Sequence, residues 1–373
     1  MSFLSTLEPI VREVIAPAAE ATDKEARFPR VALDALGSAG LLGLLSSRDV
    51  GGLGLGLAEA AQTVEHIARE CSSTAMVLTM HYAGTLLIEK YGQRTVREAI
   101  GAGRHVTTLA WSEVGTRSHF WAPVGTARRE GDAVVLDGRK SMVTSAGQAD
   151  SYVWSSRPLQ GESASSIWVV DSRLSGLSSP APFDGLGLRG NASAPVNADG
   201  VRVGMHCLLG ADGQGGELMN SDELPVFTTL IASCSIGMME GVLARATAHI
   251  TQGRFAESGG SISDLPTVRA YLARARIRAD QARLLRDDTV AAIAAGRADT
   301  MLRVLEVKAS AAEAALEVTD TAMRICGGAA FRKDVGIERL FRDARAASIM
   351  APTSDVLFDF LGGALCDAVA PKQ

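Results

Sequence analysis

The chain has 373 residues, 47% of them hydrophobic and 21% charged, the composition of a folded globular protein long enough for two or three domains. A formal net charge of −5 and a pI near 5.8 provide no basic stripe, so nucleic acid is not an expected partner and an anionic membrane surface is disfavoured. Five scattered cysteines (Cys71, Cys207, Cys234, Cys326, Cys366) form no CxxC pair, so reduced, buried thiols in a cytoplasmic protein are expected, with no disulfide framework and no metal site.

The first domain, residues 1–106, reads as helices. Glu8, Arg12 and Glu13 among apolar residues make an amphipathic start unlike a signal peptide. Val31, Leu33, Leu36, Leu41 and Leu42 form a short apolar stripe, ended by Gly51-Gly52-Leu53-Gly54. From Leu57 to Ile88 alanine, leucine and methionine recur at helical spacing. No apolar run approaches the ~20 residues needed to span a bilayer.

Residues 107–216 change texture. Thr107-Thr108-Leu109-Ala110-Trp111, Ala133-Val134-Val135-Leu136, Ile167-Trp168-Val169-Val170 and Asp199-Gly200-Val201-Arg202-Val203 are short runs with β-branched or aromatic residues. Gly131-Asp132 and Asp137-Gly138 punctuate them, as antiparallel strands and hairpins require. Residues 217–373 return to helix. Leu265, Val268, Leu272, Ala275, Ala279, Ala282 and Leu285 step by three and four along one face, and the alanine-rich stretch from Arg303 to Ile325 suits close packing in a bundle. The fold class expected is mainly α with a central β domain.

Several separated motifs resemble the acyl-CoA dehydrogenase flavoprotein superfamily, in order and across almost the whole chain. Phe28-Pro29-Arg30 through Leu53-Gly54 resembles its N-terminal helices. Ser112-Glu113-Val114-Gly115-Thr116-Arg117-Ser118-His119 is similar to its TEPxAGSD flavin loop, with Val114 for Pro and His119 for Asp. Residues Leu136 to Gly147 resemble its LNGxKxWITNG segment, and Gly187-Leu188-Arg189-Gly190 its GLRG turn. Arg324-Ile325-Cys326-Gly327-Gly328-Ala329-Ala330-Phe331 is similar to QxxGGxGF. Ile337 to Asp359 resembles the C-terminal catalytic segment, ERLYRDAK…IYEGTSEIQR.

The resemblance implies an N-terminal helical domain, a middle β-barrel domain and a C-terminal four-helix bundle, assembled as a homodimer or homotetramer. It implies FAD as cofactor and an acyl thioester of CoA or a carrier protein as substrate. Ser112 would hydrogen-bond the flavin ring, Ser118 would lie near the pyrophosphate, and Thr144 would approach the ring's N5. Met142 replaces the tryptophan that covers the ring, and Thr353 would lie beside the ribityl chain. Arg254-Phe255, Arg324, Gly327 and Gly328 would serve the flavin of a neighbouring subunit.

The departure is decisive. Where the family carries the Glu that removes the substrate's α-proton, this chain has Ala351, in Met350-Ala351-Pro352-Thr353, and the alternative base position used by some members is Phe227. Neither side chain accepts a proton. His81 is the leading candidate for a relocated base. Glu113, Glu240 and Asp355 are expected to be structural, ion-paired or solvated, and His119 is a change of local charge. The first functional expectation is a flavin oxidoreductase of oxidase or monooxygenase type, with O2 as acceptor. Dehydrogenation with a relocated base, passing electrons to an electron-transfer flavoprotein, is the alternative. A non-catalytic flavin- or acyl-thioester-binding protein is a third.

Overall fold

In the computed structural model, which describes residues 3–116, 119–161 and 165–369, a helical part, a sheet domain and a second helical part follow one another along the chain. The apolar run from Leu57 to Ile88 is two helices, Leu57–Ala68 and Ser72–Tyr91. The second is buried on nearly every side, because its apolar residues occupy all faces and neighbours pack around it. Of the early stripe, Leu33, Leu36, Leu41 and Leu42 are buried, but Val31 points to solvent.

The strands form two four-stranded sheets that share one core. Tyr152, Trp154 and Trp168 from one sheet pack with Val134, Leu136, Val196 and Val201 from the other. One sheet runs Thr126–Glu130, Ala133–Val143, Ala194–Gly204, Leu177–Ser178, all antiparallel, and Gly131 at φ +63° makes its first hairpin turn. In the other, Thr107–Ala110 pairs in parallel with Ser151–Ser156, against the antiparallel expectation. A parallel pair needs a long crossover, and the whole Thr126–Glu130/Ala133–Val143 hairpin lies between the two strands.

The C-terminal part packs the long helices Leu224–Gln252, Pro266–Ala295 and Thr300–Cys326 with Ile337–Ile349 and Ser354–Val369. Ala275, Ala279 and Ala282 are buried as their spacing predicts, whereas Leu265 precedes the helix and is exposed. The Gly215–Gln252 helical stretch is, by length and composition, apolar enough to cross a bilayer, contrary to the sequence reading. However, 94% of its apolar window is buried within the protein. Cys71, Cys234 and Cys326 are buried thiols, Cys207 is half-buried, and Cys366 is exposed rather than buried.

Candidate active site

A cavity of about 540 Å3 opens where the sheet domain, the Ser72–Tyr91 helix and the C-terminal helices meet. Its sheet-domain wall includes Trp111, Ser112, Ser141, Met142 and Thr144. These converge because the Ser141 amide donates to the Ser112 carbonyl at 2.8 Å, tying the loop after Thr107–Ala110 to the end of Ala133–Val143. The Thr108 hydroxyl donates to the Thr144 carbonyl at 2.9 Å. Met142 adopts φ +51° and is 63% exposed. Left-handed backbone is costly for a side-chain-bearing residue, and such conformations cluster at binding sites.

A buried ion pair holds this wall from behind. Lys140 Nζ donates to Glu113 Oε1 at 2.6 Å and to the Ser155 carbonyl at 2.7 Å, and lies 4.8 Å from the Trp154 ring centroid. Burial pushes the Lys140 ammonium down to about 8, and Glu113 opposes the shift. Glu113 Oε2 accepts the amides of Val124 and Gly125 at 2.6 and 3.0 Å. Glu113 is thus structural, as expected: its carboxylate fixes the loop that carries Ser112 and Phe120. The Phe120 ring stacks on Trp111 with centroids 5.9 Å apart.

The helical parts supply the remaining wall. Phe227 and Ala351 both line the cavity, so the two positions that lack a base lie on the same space. Lys308, buried on Thr300–Cys326, donates to the carbonyls of Ala347, Met350 and Pro352 at 2.8, 3.0 and 2.7 Å, and so pins the segment that carries Ala351. Burial pushes this ammonium down to about 7. At the GLRG turn, Asp343 Oδ1 accepts the Leu188 amide at 2.6 Å, and Arg342 donates to the Leu186 carbonyl and to Asp23. Arg189, Arg342 and Arg345 also line the cavity. Arg342 is paired with Asp23 and Glu338, whereas Arg345 makes no ion pair among the described residues.

Polar atoms on the sheet-domain wall fit the edge of a flavin ring. The hydroxyls of Ser112 and Thr144 make no hydrogen bond among the described residues. A planar ligand with acceptors at its rim satisfies them. Ser118 lies outside the described residues. Thr353 does not line the cavity. It caps the Ser354–Val369 helix, its carbonyl accepting the Leu357 amide at 3.0 Å and its hydroxyl the Val356 amide at 3.4 Å. Arg254 and Phe255 occupy an exposed loop after Leu224–Gln252, and Arg324 lies over the Tyr271 ring at 5.0 Å. Gly327 and Gly328 are exposed, and a Cβ added at either would meet no atom within 4 Å. None of these five residues lines this cavity.

His81 has a different place from the one expected. Met80 lines the cavity, but the next side chain on a helix points about 100° away. His81 is fully buried, its Nε2 donating to the Leu42 carbonyl at 2.9 Å and its Nδ1 accepting the Thr107 amide at 3.2 Å. Burial pushes its pKa down to about 4, so the ring is a neutral strut between the helical part and the first strand. Glu240 is held by Arg276 and Arg283, Asp355 is exposed, and His119 is exposed with its ring 5.0 Å from Trp121.

The sequence reading missed Glu223. This residue closes a wide π-type turn, Leu218–Glu223, that runs into Leu224–Gln252. It is 1% exposed, lines the cavity, and its Oε1 has no hydrogen-bond partner among the described residues. Burial alone pushes its pKa well above the ordinary carboxyl value. The signal lay in the spacing, since Glu223 is four residues before Phe227 and so on the same helix face.

Sequence models of the acyl-CoA dehydrogenase N-terminal, middle and C-terminal domains match residues 2–101, 108–201 and 213–365. The chain is 29% identical over 371 residues to cyclohex-1-ene-1-carbonyl-CoA dehydrogenase of Geobacter metallireducens, covering 97% of this chain and 96% of that one. It is 29% identical over 363 residues to the human mitochondrial short-chain specific acyl-CoA dehydrogenase, covering 95% and 86%. The structure of butyryl-CoA dehydrogenase from Megasphaera elsdenii superposes with a TM-score of 0.91 at 20% identity, over 98% of this chain and 97% of that one. With all three domains matched in order around this cavity, the chain belongs to the acyl-CoA dehydrogenase family.

Proposed function

We propose that the protein is an FAD-dependent oxidoreductase that removes the α and β hydrogens of an acyl thioester. FAD is the cofactor of this family, and when bound it supplies the acceptor for the hydride and electrons that leave the substrate. The observation that carries the reading is the shared cavity. Ser112, Met142 and Thr144, which the resemblance places on the flavin, line the same space as Ala351 and Phe227, the two positions where the resemblance places the base.

This chain's own groups have distinct tasks. Ser112 and Thr144 offer polar atoms to the ring, and Met142 covers it with a thioether in place of an indole. Trp111, Phe120 and Phe227 give the acyl group an apolar, water-poor wall, which strengthens every polar contact made inside. Arg345 at the same cavity offers a cation to the phosphate-bearing arm of a CoA or carrier-protein thioester. Arg254, Phe255, Arg324, Gly327 and Gly328 serve the flavin of a second copy of the chain in a dimer or tetramer.

Oxygen-dependent chemistry of oxidase or monooxygenase type is the second reading, favoured by the loss of a proton acceptor at both Ala351 and Phe227. Anaerobic titration separates removal of the α and β hydrogens, whether a dehydrogenase or an oxidase carries it out, from monooxygenation. Straight, branched and cyclic acyl-CoAs are added to FAD-loaded protein in the absence of O2. Bleaching of the flavin by at least one of them is expected, and turnover only after O2 is admitted would contradict dehydrogenation.

A further inference from the structure

We infer that Glu223 is the general base of this enzyme, moved by one helical turn from the position that Phe227 occupies. The inference rests on the dehydrogenation reading above and supplies what that reading lacks, a proton acceptor in the cavity.

Three independent observations converge on this residue. It lines the same cavity as Ala351, Phe227, Ser112 and Thr144. It is 1% exposed, yet among the described residues Oε1 has no hydrogen-bond partner and no cation pairs with the carboxyl. Leaving such a group buried and unpaired is costly, and that cost persists where the group has a task. It also ends a π-type turn, a helical irregularity that recurs at functional sites because it re-aims side chains. Its neighbour Asp222 is taken up by Lys90 and Tyr91, at 2.7 Å each, so the two adjacent acids have separate roles.

The charged groups around the cavity leave Glu223 alone. Arg342 is held by Asp23 and Glu338, and Arg189 by Asp184. Arg345 is exposed, and burial is the sole cause of the Glu223 shift. Burial therefore favours the protonated form of the resting carboxyl, and its anion is the working base. In the step, the substrate's α C–H bond breaks and the proton goes to a Glu223 carboxylate oxygen. The electron pair left on the α-carbon becomes the Cα=Cβ bond as the β-hydride departs to FAD. Atoms and charge balance with no further co-reactant. The rate of the step should rise with pH through the raised Glu223 pKa.

The test compares wild type with Glu223→Gln, which has the shape of the protonated acid and should keep the fold. Two readouts are taken on each protein. The first, on the flavin-free protein, is the infrared C=O stretch of a protonated carboxylic acid across a pH titration. A band persisting above the ordinary carboxyl range in wild type and missing in Glu223→Gln is expected. The second is anaerobic flavin reduction by butyryl-CoA, a branched acyl-CoA and cyclohex-1-ene-1-carbonyl-CoA, with FAD content checked by its visible spectrum. Glu223→Gln should bind FAD normally and be reduced about 10²- to 10⁴-fold more slowly, without the pH dependence of wild type. Reduction of Glu223→Gln at the wild-type rate, or an infrared band unchanged by the substitution, would overturn the assignment while leaving the proposed function standing. Wild type that no acyl-CoA reduces would overturn the proposed function itself.

Discussion

At the residue scale, the site gathers polar atoms that have no hydrogen-bond partner among the described residues. Thr144 is the clearest on the proposed flavin side, with its carbonyl engaged by Thr108 and its hydroxyl making no hydrogen bond among the described residues. Thr144→Ala should leave folding intact and shift the visible spectrum of bound FAD, and an unchanged spectrum and reduction rate would reject its place beside the ring. His81 makes the opposite case. Both its nitrogens are committed to backbone groups, so His81→Ala should cost on the order of 3 kcal/mol in stability while leaving the reduction rate per bound flavin unchanged. A tenfold slower rate in folded, FAD-loaded His81→Ala would restore it to the catalytic residues. Sequence alone could show that Ala351 and Phe227 lack a proton acceptor. It could not tell a histidine beside the cavity from one a residue away, because adjacent helical residues diverge by about 100°.

At the scale of elements, the legible parts were those with strong periodicity or a distinctive turn. The long helices, the Gly131 hairpin and the buried alanine seam of Pro266–Ala295 all follow from local pattern. The parallel pairing of Thr107–Ala110 with Ser151–Ser156 does not, because pairing partners far apart in sequence are set by tertiary packing. Glu223 was not legible for a related reason: its spacing from Phe227 stands in the sequence, but its burial against the cavity is set by tertiary packing. The segment that carries Ala351 depends on another element, since Lys308 on Thr300–Cys326 satisfies three of its carbonyls. Lys308→Met should lower stability by about 3 kcal/mol or more and slow flavin reduction, because the cavity wall loses its anchor. Wild-type melting and wild-type reduction in that variant would show that the wall holds without it.

At the scale of the molecule, the cavity exists because three parts of the chain are clamped together. Asp343 holds the Leu188 amide of the sheet domain, and Arg342 bridges Leu186 to Asp23 of the first helices. Burial pushes Asp343 up from 3.8 to about 6. Because the folded state holds this proton more tightly, the group's contribution to stability is complete below about pH 4. It is lost as pH rises through about 6. Wild type should therefore lose about 3 kcal/mol relative to Asp343→Asn between those limits, read from urea unfolding at each pH, and parallel stability curves would contradict the burial argument. Gly328 tests assembly, since a side chain there meets no atom of its own subunit. Gly328→Val should melt like wild type without FAD yet bind FAD more weakly, and unchanged affinity would remove it from the neighbour's flavin site. The air-reoxidation rate of reduced protein then distinguishes O2 from an electron-transfer flavoprotein as acceptor.

The most direct test of the account is the mass of the acyl product formed when FAD-loaded protein meets an acyl-CoA that reduces it under anaerobic conditions. Dehydrogenation predicts a thioester lighter by two hydrogens, formed in proportion to the flavin reduced. A product that has gained oxygen, or that appears only in air, would contradict it.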